Sequence, residues 1–327
     1  MTSSEITGLH HVGLIVHDLN AALDTFRAFG FHLGPPSYPA LPPAPGAVPE
    51  PIGAGNTHAD FPRSFIELLA FAPDDSDRLP EGARLAPLQI PDAHLDATRN
   101  ALQQSVSGLA ARLDRFEGAH ILVFTTTKAE ATAVRWDRNG IRHTGARAAQ
   151  RPIVTAEGTQ MEPIKFLEIS DDDPTAPPGL LPEGRVGAAE DAPGAVLDAQ
   201  IGLAHPNGAK ALAECVLCFP ADGLDEAAER YERYLGIAPR SGTRTFDLGS
   251  SRLTLATAND LAAWLPGEVP PAEPALSAYV IETGDLDAAE QWLSDNKIGF
   301  GRTADGEPFI PAAAAHGAAV VFRQAMA

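Results

Sequence analysis

Apolar residues recur along this chain in two alternating rhythms. In residues 9–19, Val12, Leu14 and Val16 alternate with His11, Gly13 and Ile15, the two-residue period of a strand. Leu19, Ala22, Leu23 and Phe26 then fall at helical spacing behind Asp18, a side chain suited to an N-cap, and Gly30 closes that helix. A proline-rich loop is expected over 35–51, then strands at 54–61 and 64–71 around a Pro62-Arg63 turn. The unit reads as strand, helix and three strands.

The template returns three times. Residues 119–127 repeat the opening strand, with His120 at the place of His11. Thr127 caps a helix at 128–139, Gly140 ends it, and 163–169 closes the copy as its last strand. A third copy has its strand at 212–219, its helix at 224–235 and further strands at 243–248 and 252–257. The fourth, from 276 to 286, aligns with 9–19 without a gap and keeps Asp285 and Leu286 where Asp18 and Leu19 stand. It continues as a helix at 287–296 and a last strand at 318–323. Residues 72–118 are an insertion with a helix at 92–117, whose Leu95, Leu102, Val106, Leu109 and Leu113 share one face. Residues 171–204, acidic and rich in proline and glycine, read as a linker.

One copy is too small to bury its sheet face, so copies are expected to pair into cups with helices outside. The predicted fold is α+β, four βαβββ modules in two domains: 1–170, the linker 171–204, and 205–327. Composition changes this picture little. A formal net charge of −19 argues against nucleic-acid and anionic-membrane partners. Cys215 and Cys218 lie three apart in an apolar strand, pointing to opposite faces, with no second pair to complete a zinc site. No signal peptide or spanning run is present, so a cytoplasmic monomer or homodimer acting on a small molecule is expected.

The run Leu9-His10-His11-Val12 with Asp18-Leu19, Gly30-Phe31 and Ile66-Glu67-Leu68-Leu69 resembles the vicinal oxygen chelate superfamily, the glyoxalase, bleomycin-resistance and extradiol-dioxygenase group. Gly55-Asn56-Thr57 and His205-Pro206-Asn207-Gly208-Ala209 are similar to the two-domain glyoxalase-like proteins of bacteria. The resemblance implies a divalent metal (Fe, Mn, Ni, Co or Zn) in the cup between modules one and two, held by His11, Glu67, His120 and Glu168. Imidazole and carboxylate suit all five metals. It further implies a lyase or isomerase acting through a metal-bound enolate, with Glu67 or Glu168 shuttling a proton. Fe(II) on His11, His120 and Glu168 would instead imply ring cleavage by O₂, and an intact cup without metal would imply drug sequestration. Asn56, His58, Arg151 and His205 are the candidate substrate contacts. The matching positions of modules three and four are Glu214, Thr254, Ala278 and Phe322, which hold no imidazole, so the second domain is expected to be structural or substrate-shaping. Neither a Walker loop, a dinucleotide glycine pattern nor a hydrolase serine elbow occurs.

Overall fold

The computed structural model describes residues 4–73 and 78–325. Its first module runs β1 (Ile6–Ile15), α1 (Leu19–Ala28), β2 (Ser37–Leu41), β3 (Glu50–Pro51), β4 (Ala54–Asp60) and β5 (Phe65–Phe71). Asp18 caps α1 as expected, accepting from Asn20 N and Ala21 N, and Gly30 follows at φ +89°. β1 pairs in parallel with β5, Val12 opposite Ile66, and β4 pairs antiparallel with β5. The stretch expected as loop over 35–51 also holds β2 and β3. Pro51 is tolerated because β3 is a two-residue strand paired only with β2 among the described residues, where a missing N–H costs little, and Tyr38 and Ala40 supply a buried face of β2. The insertion gives β6 (Arg84–Pro87), parallel to β2, and α2 (Leu95–Leu113); residues 74–77 of it lie outside the described residues.

Module two runs β7 (Gly118–Thr126), α3 (Ala129–Arg138), β8 (Arg147–Thr155), β9 (Gly158–Glu168) and β10 (Arg185–Glu190). The N-cap of α3 is Lys128 rather than Thr127. β10 pairs in parallel with β7, as β5 does with β1, so the closing strand comes from the segment read as linker and not from 163–169. Small side chains hide it: Val186, Gly187, Ala188 and Ala189 make a short strand with little hydrophobic signal, and a Cβ on Gly187 would fall 2.5 Å from Leu167 O. A short helix, α4 (Gly194–Asp198), leads onward.

Module three has β11 (Ala209–Cys218), α5 (Leu224–Leu235), β12 (Thr245–Asp247) and β13 (Arg252–Ala256), and α6 (Ala258–Trp264) follows. Module four has β14 (Ala275–Thr283), α7 (Leu286–Asp295), β15 (Gly301–Arg302), β16 (Pro308–Ile310) and β17 (Ala319–Gln324). Modules pair through antiparallel first strands, β1 with β7 and β11 with β14, and a single bridge, Leu276 to Ala119, joins the two sheets. The helix-bearing sides of both domains meet in one core. Trp292 Nε1 of α7 donates to Ala28 O of α1, Trp136 Nε1 of α3 donates to Tyr234 O of α5, and Phe31 stacks on Phe322. The two concave faces are thereby left on the outside. Each is filled at its apolar end by a helix, α2 through Leu109 and Leu113, and α6 through Leu261 with the adjoining Leu265. Cys215 and Cys218 are buried in different clusters, on opposite faces as alternation requires.

Candidate active site

Register decides which side chains enter the N-terminal cup. His11, Gly13 and Ile15 of β1 share a face with Phe65, Glu67 and Leu69 of β5 and with Ile121 and Val123 of β7. Asn56 and His58 of β4 face Leu69 and Glu67 across the same surface. Gly13 is a glycine for a spatial reason: a Cβ there would stand 2.9 Å from Glu67 Oε2 and 2.8 Å from Ile121 Cβ.

Glu67, 8% exposed, accepts a 2.6 Å hydrogen bond from Asn56 Nδ2. His11 Nε2 lies 3.8 Å from one of its oxygens and His58 Nε2 lies 4.0 Å from the other. The two imidazoles come from strands on either side of β5, and Phe65 stands between them, stacked on His11 at 4.5 Å and on His58 at 4.3 Å. Arg151 lies over the Phe65 ring at 5.2 Å and donates to Asp191 Oδ2 at 2.9 Å.

A row of close polar contacts runs behind His11. Asp191 Oδ2 is 3.2 Å from His10 Nε2, and His10 Nδ1 is 2.8 Å from His11 Nδ1. The two Nδ1 atoms can share only one proton. With a neutral His10 whose Nε2–H faces the Asp191 carboxylate, His11 Nδ1–H would donate to His10 Nδ1, and His11 Nε2 would keep an open lone pair toward the cup. Burial, followed by the fields of His10, His58, Arg151 and Arg185, holds the His11 imidazole well below its ordinary pKa, so it is neutral at pH 7. Burial raises the Asp191 carboxyl, but His10 and Arg151 outweigh it and keep Asp191 ionised.

The structure brings His11, Glu67, Asn56, His58 and Arg151 to this cup, puts Glu168 on the same face in an ion pair with Arg185, and leaves His120 and His205 out of it. His11 precedes the N-cap Asp18 by seven residues; seven before Lys128 stands Ile121, so His120 answers to His10 and faces away from the cup. It is 1% exposed, packed on Phe116, and its Nε2 donates to Phe116 O at 2.9 Å. Burial lowers its pKa to about 4. Glu168 does not lie on a closing strand. It pairs with Gly187, as His58 pairs with Glu67, and its carboxylate is taken by Arg185 Nε at 2.9 Å. His205 sits in the joint between Phe31 and Phe61, accepting from His32 N and donating to Asp60 O.

The expected four-ligand set is therefore not gathered. Donors sharing one ion at about 2.0–2.2 Å must converge, yet His120 is on the far face, Glu168 is held by Arg185, and Phe65 separates His58 from His11. Among the described residues no group of three His, Cys, Asp or Glu side chains is placed to hold a metal. His11 and Glu67 remain as a pair, and the facial triad of His11, His120 and Glu168 is not assembled. His10, Phe65, Arg185 and Asp191 complete the cup and were not among the expected contacts. For Asp191 the available signal was its place one residue beyond the alternation of 185–190.

The C-terminal cup answers position by position. Glu214 stands where His11 does, Arg252 where Phe65 does, and Thr254 where Glu67 does. In module four the position matching Glu67 is Val321, opposite Val280, while Phe322 belongs to the central core. Glu214 accepts from Thr254 Oγ1 at 2.7 Å and from Arg323 Nη1 at 2.8 Å, and it faces Arg252 Nη2 at 3.3 Å.

Strand–helix–strand modules paired into cups define the vicinal oxygen chelate fold. Within that class the chain belongs to the family of the glyoxalase-like domain, whose sequence profile matches residues 9–235. No curated protein matches it. A hypothetical protein from Staphylococcus aureus superposes with a TM-score of 0.55 at 10% identity, over 97% of this chain and 99% of that one. A mutant 4-hydroxymandelate synthase from Streptomyces coelicolor superposes at 0.50 and 16% identity, over 94% and 78%. At these identities the likeness is one of fold. Among the described residues no helix is long and apolar enough to cross a membrane.

Proposed function

We propose that the N-terminal cup is the reactive site of a glyoxalase-like enzyme of lyase or isomerase type that moves a proton on a small oxygen-rich anion, with His11 as the base. The observation that carries this reading is the row Asp191–His10–His11, in which His10 Nδ1 lies 2.8 Å from His11 Nδ1 and His11 Nε2 stands 3.8 Å from Glu67. His11 takes the proton from a carbon next to a carbonyl. Its imidazole is neutral at pH 7 and so able to accept, although burial holds its pKa well below the ordinary value and weakens it as a base. Negative charge developing on the carbonyl oxygen falls in the field of Arg151 and Arg185, the same guanidiniums that hold His11 neutral. Glu67, oriented by Asn56, faces His11 across the gap and is the second group able to carry the proton, returning it for an isomerisation. Because the metal ligands implied by the resemblance do not converge, the base and the proton carrier are the chain's own side chains.

The test is deuterium wash-in from D₂O into a panel of small 2-oxo acids and 2-methyl-3-oxo acids, followed by NMR. We expect exchange that His11→Gln slows by about 10²–10⁴-fold and that chelators leave unchanged. Exchange equal in wild type and variant would refute His11 as base. Exchange that appears only on adding a divalent cation would return the cup to metal chemistry, and tight ligand binding without exchange would favour sequestration.

A further inference from the structure

The C-terminal cup holds an open-mouthed cavity of about 270 Å³ between β11, β13 and α6. That is below the roughly 300–1,000 Å³ of drug-sized sites and suits a smaller molecule. Its charges are arranged by depth. Inside, Arg323 is spent on Glu214 and on both oxygens of Glu307. Arg252 has one carboxylate neighbour among the described residues, Glu214 at 3.3 Å, and lines the cavity with donors to spare. The hydroxyls of Thr245 and Thr254 lie beside it, 3.0 Å apart. At the rim stand two exposed carboxylates, Asp260 and Asp305. Asp260 spends only its Oδ2 on capping α6, at Thr257 N and Oγ1, and that capping keeps it ionised. Trp264 and Leu261 of α6 form the apolar wall.

We propose that this cup is a second ligand site that binds a small zwitterion of the α-amino-acid class, its carboxylate on Arg252 and Thr245 and its ammonium toward Asp260 and Asp305. A simple anion meets the acidic rim, and a simple amine meets the guanidinium floor; only a molecule carrying both charges satisfies both. The ligand's side chain would lie along Trp264 and Leu261, with room for one of moderate size. Nothing in this site depends on His11 or on the chemistry of the other cup.

Isothermal titration of the full chain with a panel of the twenty amino acids, the matching carboxylic acids and the matching amines tests the proposal. One or more amino acids should bind with a Kd below about 1 mM, while the parent acids and amines bind at least about tenfold more weakly. Arg252→Ala and the milder Thr245→Val should each weaken that binding, and Asp260→Asn with Asp305→Asn should erase the preference for the zwitterion over the plain acid. His11→Gln should leave the titration unchanged. If no amino acid binds in that range, if acids or amines bind equally well, or if the titration is insensitive to Thr245→Val in protein whose circular dichroism is native, the proposal fails.

Discussion

The two cups share a scaffold and differ in what they do with the same positions. At the His11 position the N-terminal cup has an imidazole whose Nε2 makes no hydrogen bond among the described residues, with Glu67 3.8 Å away. At that position the C-terminal cup has Glu214, whose oxygens are occupied by Thr254, Arg323 and Arg252. The first arrangement leaves a basic atom unspent; the second closes its own charges into a network and leaves only Arg252 to spare. A fold that tolerates both has no general structural need of a histidine at that position, and the proposed chemistry gives the Asp191–His10–His11 row a use beyond its packing on Phe65.

Four measurements would break or sharpen this contrast. The largest effect belongs to His11→Gln, which should lower turnover by about 10²–10⁴-fold while costing about 1 kcal/mol or less of stability, read by exchange rate and urea denaturation on the same samples. Glu214→Ala should do the reverse. It removes the partner of two guanidiniums and should cost about 3 kcal/mol, the low end because Arg252 can turn toward water, with the N-terminal reaction unaffected. An equal loss of activity in both variants would show that the cups are not independent.

The third concerns pH. His120 titrates at about 4 in the folded chain against about 6.5 when unfolded. Between those values only the unfolded state takes up the proton, so stability falls as pH drops from 6.5 to 4, by about 2–3 kcal/mol. His120→Gln keeps a donor for Phe116 O and removes the titration, so its stability should fall less over that window than that of wild type; identical slopes would contradict the buried, neutral assignment. The smallest effect is that of Leu109→Ala on α2, about 2 kcal/mol because the cavity it leaves adjoins a cup that water can enter. It should also widen the range of substrates accepted in the exchange assay.

The repeat was legible because its signals are local. Asp18 and Asp285 cap helices in the structure as the sequence implies, and alternation located β1, β4, β5 and β14. What escaped depends on distant pairing. β10 carries alanine and glycine where a strand usually announces itself with branched residues, and without it Glu168 looked like a closing-strand ligand. With Thr127 as the helix cap His120 falls at the His11 position, whereas the cap is Lys128. Counting back from the helix cap separates it from the cup by one residue, and one residue in a strand is the other face of the sheet. Asp191 lies 180 positions from His11 along the chain, and only the parallel pairing of β10 with β7 carries it to the His10 ring.

The helices α2 and α6 enter the cups from outside the repeated framework, each resting a few leucines on strands that also carry the polar groups. In such a molecule the choice of guest and the treatment given to it are recorded in different places. A lineage could retune the volume above the strands by editing one inserted helix, leaving His11, Glu67 and the shared core untouched. Swapping α2 between relatives would then be a direct way to trade one substrate for another.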